Sequence, residues 1–128
     1  MSEREEPGIN RTEITEAISE QIATIHTESY DTPVKRVITH ALDDLVVTVL
    51  DIELTRIEQR LIEFGHGNLV HDMRRAVQTA EAASFTAVVE RATGRRVMAF
   101  SSHTHLEPPF AAELFRLGPA TAHPAEPQ

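Results

Sequence analysis

Cysteine is absent from the 128-residue chain. That excludes disulfides, thiolate metal sites and a cysteine nucleophile, and it fits a reducing, intracellular setting. Tryptophan is absent too, and with one Tyr and five Phe the aromatics reach only 5%. A surface that reads bases or sugars by stacking needs more than that. Basic charge is scarce. Twelve Lys and Arg face 20 Asp and Glu, a net charge of −8. Such a chain repels phosphate backbones and anionic leaflets, so no nucleic acid and no direct membrane insertion are expected. Long apolar runs are missing as well. Leu45–Leu50 is far shorter than the roughly 20 residues that cross a bilayer. Met1–Glu6 is polar with no apolar run behind it, so no export signal is read there. The expectation is a cytoplasmic protein.

What remains is ordinary globular composition, 41% hydrophobic and 25% charged, in a length that suits one domain with its own core. Residues 1–10, with Pro7-Gly8, and 118–128, with three Pro, are expected to be disordered tails. The ordered domain is then residues 11–117.

Within it, Ile14, Ile18, Ile22 and Ile25 form one stripe, which predicts a helix over Thr12–Ser29. Pro33 ends it. Val34–Ala41 and Leu45–Asp51 are β-branched strands joined by a short polar connection, Leu42-Asp43-Asp44. The run Leu45–Leu50 scarcely alternates, which places it centrally and covered over much of both faces. Thr55 with Glu58 is a capping box for a short helix ending at Gly65 and Gly67. Asn68 is positioned to cap a long helix to Thr93, with Val70, Met73, Val77, Ala80, Ser84 and Val88 as its buried stripe. Arg95–Thr104 and Phe110–Leu117 close the chain as strands around Glu107-Pro108-Pro109. The order α-β-β-α-α-β-β argues an α+β fold, a four-stranded antiparallel sheet packed by helices.

Several residues invite chemistry, each with a plainer reading beside it. His103 and His105 lie two apart, so on a strand they face one side and form half of a zinc site. His40, His66 or His71 would have to complete it. Without a sequence-fixed third ligand, no structural zinc and no other cofactor is expected, and the plainer reading leaves both His solvated near the proline turn. Asp43, Asp44, Asp51 and Glu53 suit a divalent cation, but the Asp pair suits a turn better. Gly65-His66-Gly67-Asn68 could receive an anion at a helix start but lacks P-loop spacing. Arg74, Arg75, Arg91, Arg95 and Arg96 could hold a carboxylate or phosphate, or simply pair with Asp72, Glu81 and Glu90 on the surface. Ser102 and His103 point to opposite faces of a strand, which disfavours a nucleophile-and-base pair. No catalytic constellation is found, and no enzyme activity is expected.

The segments Asp43-Asp44-Leu45-Val46-Val47, Leu54-Thr55 with Glu58 and Leu61, Thr93-Gly94-Arg95-Arg96-Val97, Phe100-Ser101 and Glu113-x-Phe115-x-Leu117 together resemble the MpsC family of bacterial proteins. That family has long been catalogued as a domain of unknown function, and its name refers to a sodium-translocating, membrane-potential-generating system. The similarity spans residues 13–117. It departs at Tyr30-Asp31-Thr32-Pro33, where members usually carry a Gly-rich turn ending in Pro. The resemblance implies a soluble accessory of a membrane system for cation transport or inorganic-carbon uptake, and it supplies no catalytic residues.

Two classes of function follow. One is a non-catalytic interaction or regulatory protein, possible partner of a membrane complex. The alternative is a small-ligand or metal-binding domain using His103 and His105 or the Arg cluster. A homodimer is expected, through the strand edge Val37–Ala41 or the small-residue helix face Ala76, Ala80, Ala83 and Ala87.

Overall fold

The computed structural model describes residues 10–120. Helix α1, Arg11–Tyr30, starts where Asn10 accepts the Glu13 amide at 2.8 Å and stops where Asp31 enters the left-handed region, φ 57°. Its isoleucine stripe buries Ile18 and Ile22 and continues through His26 and Tyr30. Strands β1, Val34–Leu42, and β2, Leu45–Ile52, pair through the two-residue turn Asp43-Asp44. Asp43 takes φ 44° there, a conformation Asp tolerates because its carboxylate bonds locally. Helix α2, Arg56–Glu63, opens with the full capping box of Thr55 and Glu58. Helix α3, Gly67–Thr93, closes on Gly94 at φ 70°. Strands β3, Val97–Leu106, and β4, Pro109–Leu117, flank the Glu107-Pro108 turn.

The element order and the four-stranded antiparallel sheet are those expected, with strand order β1-β2-β4-β3. The helices form one layer, α1 over β1 and α3 over β3, with α1 and α3 packed on each other. Apolar burial concentrates between the layers: Ile18, Ile22, Val46, Leu50, Phe85, Val89 and Phe115 are at most 1% exposed.

Three local expectations change. Asn68 does not cap α3; the cap position is His66, whose side chain makes no capping hydrogen bond, and Asn68 lies inside the helix. The stripe on α3 is also rotated. Val70 and Val88 are buried and Val77 half-buried, but Met73, Ala80 and Ser84 are exposed, while Arg74, Glu81 and Phe85 point inward. Polar residues could take those positions because partners await them. Lastly, β2 is central but covered on one face only. Leu45, Val47 and Val49 stay half-buried on the side that no helix of the described residues reaches.

The expected tail disorder lies outside the described residues, except at the inner ends. Asn10 caps α1. The Gly118 amide bonds to the Arg96 carbonyl at 2.8 Å, and its own carbonyl accepts from Arg95 Nε at 2.9 Å.

Candidate functional site

Strand register builds a polar row where an apolar one would be expected. Thr39 pairs with Thr48, Thr48 with Glu113, and Glu113 with Ser102. All four lie on the helix-covered face. The next row toward one end holds Val46, Phe115 and Phe100, and toward the other Leu50, Ala111 and Thr104. A hydroxyl chain satisfies the row on the α1 side. Ser19 and Thr39 share a hydrogen bond of 2.7 Å, and Thr39 and Thr48 one of 2.9 Å. On the α3 side the row is less complete. Glu113 is 1% exposed, and among the described residues neither its Oε1 nor Ser102 Oγ has a hydrogen-bond partner. Burial raises the Glu113 pKa to about 7; the nearby Ser102 hydroxyl offsets part of the rise, and the charge of Glu81 adds to it. Glu81 is itself raised by burial, in part offset by the Ser29 hydroxyl that donates to it and by Arg74.

Beyond the row, α1, α2 and α3 meet at Arg74, which is 1% exposed. Its Nε and Nη2 donate to the two carboxylate oxygens of Glu58, each at 2.6 Å. Glu58 Oε1 also accepts the Thr55 amide at 2.8 Å, so one carboxylate closes the capping box and neutralises the guanidinium. Burial would raise the Glu58 pKa, but the Arg74 and Thr55 hydrogen bonds outweigh it and hold it below the ordinary value. The guanidinium lies 3.8 Å from the Tyr30 ring centre, and the His26 and Tyr30 rings are 4.6 Å apart. Burial, and then the Arg74 charge, lower the His26 pKa to about 4. Burial raises that of Tyr30. This cluster fixes where α2 sits.

The anchored helix turns an apolar side outward. Ile57 is 65% exposed and Phe64 64%. With Leu61, Arg56 and Arg60 they line a shallow depression, and the Arg60 guanidinium rests 5.2 Å from the Phe64 ring centre.

The residues singled out in the sequence are dispersed. His103 and His105 remain in β3 and share the open face, as strand geometry requires. His105 stacks on Phe110 and its Nδ1 contacts the Pro108 carbonyl at 2.9 Å. His40 stands on the opposite edge strand, three strand spacings or about 14 Å away. Among the described residues no group of three His, Asp or Glu could hold a metal ion. The five arginines do not converge. Arg74 is buried with Glu58, Arg75 pairs with Asp72 at 3.3 Å, and Arg91 reaches Gln21. Arg95 clamps Asp44, the Asp43 carbonyl and Gly118. Asp43 and Asp44 are therefore turn residues. One new grouping does form. His71, Arg75, Gln78, Ser102 and His103 line a groove of about 420 Å³ between α3 and the edge strand β3.

Sequence reasoning missed the buried polar cluster. Two signals were available. His26 continues the isoleucine stripe at i+4. Glu113 shares the period-two face of Phe115 and Leu117, where a charge must be buried.

The architecture is that of a small two-layer α+β domain, helices on one face of an antiparallel sheet. Residues 10–118 match the family described as the Na+-translocating membrane potential-generating system (MpsC), and the chain belongs to that family. No curated protein and no solved structure matches it. The segments that carry the resemblance have structural duties here. Thr55 and Glu58 fix α2, Gly94 ends α3, Arg95 ties the β1–β2 turn to the end of β4, and Glu113 anchors the polar row.

Proposed function

We propose that the protein is a non-catalytic accessory subunit of a cation-translocating, membrane-potential-generating system. It works in the cytoplasm, by docking α2 on a membrane-bound protein. One observation supports this most directly: a short helix is pinned from behind by a fully buried ion pair while Ile57, Leu61 and Phe64 face outward. Rigid display of apolar anchors with an arginine rim suits a protein interface, because little ordering entropy is lost on binding. No helix among the described residues is long and apolar enough to cross a membrane. The family name supplies the system. The test is site-specific photocrosslinking in native cells. A crosslinker at position 57 or 64 is expected to capture an integral membrane protein, and one at position 20 is not. Capture of soluble proteins alone from 57 and 64 would refute the reading.

The groove between α3 and β3 favours a second reading, a small-ligand domain. It would use His71, Arg75 and Gln78 of α3 beside Ser102, not His103 with His105. Those groups suit a small carboxylate or phosphate. Titration calorimetry with acetate and inorganic phosphate checks it. Binding lost in Arg75→Gln supports this reading, and no heat at millimolar ligand removes it.

A further inference from the structure

The open face of the sheet can be read row by row. From the turn end, the rows are Leu42, Leu45, Arg116, Ala99; then His40, Val47, Leu114, Ser101; then Ile38, Val49, Ala112, His103; then Arg36, Asp51, Phe110, His105. The centre is Val47, Val49, Leu114 and Ala112, and the polar groups lie around it. A solvated antiparallel face normally alternates to polar residues. Here the centre of the outward set is apolar, with Leu114 37% exposed, and Leu42 at its rim is 56% exposed. We propose that this face is a self-association surface, on which a second copy of the chain packs sheet against sheet.

Charge selects that occupant. The chain carries 20 acidic residues and a net −8, so two copies repel over most approaches. The open face holds one acidic residue, Asp51, in register with Arg36, and Arg116 at the far end. On it two copies meet without acid facing acid. Size agrees. Four strands at about 4.8 Å and about 24 Å of length give roughly 450 Å² of flat area, which side-chain relief raises toward the ~600–800 Å² per partner of a specific dimer.

The pattern is also self-complementary. With a two-fold axis running across the strands, the turn-end row of one copy lies over the far row of the other. Leu114 then meets Ala112, Val47 meets Val49, and Arg116 covers Phe110 beside Asp51 of the other copy. Large opposes small and positive opposes aromatic and acid.

The test uses the full chain, with light scattering after size exclusion and sedimentation equilibrium at micromolar concentration. Wild type is expected near twice 14.3 kDa. Leu114→Lys is expected to run at one chain mass, with association weakened at least tenfold and an unchanged far-UV spectrum. A side chain already facing solvent leaves the monomer folded. Asp51→Arg should weaken the dimer, and adding Arg116→Asp should restore part of it. A monomeric wild type would overturn the proposal. So would a dimer unaffected by Leu114→Lys, including one lost instead in Ala83→Lys on the α3 surface. The α2 substitutions that test docking lie on another surface and should leave the mass unchanged.

Discussion

The two faces of the sheet each depart from the usual arrangement, one by a polar row within the core and the other by an apolar centre. The face under the helices carries the row Thr39, Thr48, Glu113 and Ser102, while the face away from them carries Val47, Val49, Ala112 and Leu114. On the covered face, polar groups are tolerated because α1 and α3 bring partners: Ser19 to Thr39, Ser29 to Glu81, and Arg74 to Glu58. A buried ion pair of this kind adds little net stability, since desolvation offsets most of the attraction. Its effect is to specify geometry. Only one placement of α2 lets Glu58 close both the capping box and the guanidinium fork. Among the described residues no helix brings such partners to the open face, and its central residues are apolar.

Breaking the ion pair should show the largest effect. Arg74→Met leaves the Glu58 carboxylate buried without its partner, and an expected loss of about 3–5 kcal/mol follows. Urea denaturation measures it. Glu58→Gln with Arg74→Met should cost less than the two singly, because no uncompensated charge remains. A loss under about 1 kcal/mol for Arg74→Met would mean that the covered face does not depend on its polar groups.

Proton linkage comes next in size. Glu113 has a folded pKa of about 7, above its ordinary 4.5. As pH rises from 4.5 to 7 the unfolded chain loses this proton and the folded one keeps it, so stability falls with pH. The penalty is complete above 7 and absent below 4.5. Relative to wild type, Glu113→Gln should therefore gain stability across that window, by up to about 3 kcal/mol. His26 acts oppositely. Its folded pKa of about 4 lies below 6.5, so acid protonates the unfolded chain first, and stability is lost as pH falls from 6.5 to 4. His26→Asn should remove that loss. Denaturation midpoints at half-unit pH steps check both, and parallel profiles for wild type and Glu113→Gln would contradict the burial of that carboxyl.

The smallest effect compares single swaps across β2. Thr48→Val removes one hydroxyl from the chain that Ser19 and Thr39 complete, at a cost of up to about 1 kcal/mol. Val49→Thr on the open face should change the monomer by less than about 0.5 kcal/mol. If a second copy covers that face, the Val49→Thr effect grows with protein concentration and the Thr48→Val effect does not. Thermal melts at two concentrations a hundredfold apart distinguish these.

Much of the fold is legible in local signals. The isoleucine period, the β-branched runs, the Thr55–Glu58 box and Gly94 each dictate their element without reference to distant residues. The α3 stripe was misread because periodicity counts apolar residues, and the helix buries Arg74 and Glu81 in place of Met73 and Ala80. His103 and the arginines were legible as chemistry but not as neighbours, since their grouping depends on which helix lies beside which strand edge.

The sequence by itself determined the elements, their order and the membership in the MpsC family, because helix and strand periods, caps and turn residues act over a few positions. Tertiary structure alone decided that Glu58 meets Arg74 across 16 residues, that four strands align Thr39, Thr48, Glu113 and Ser102 in one row, and that the helices leave one sheet face open. Those outcomes depend on packing between segments far apart in the chain, where burial and partner geometry, not local preference, set the free energy.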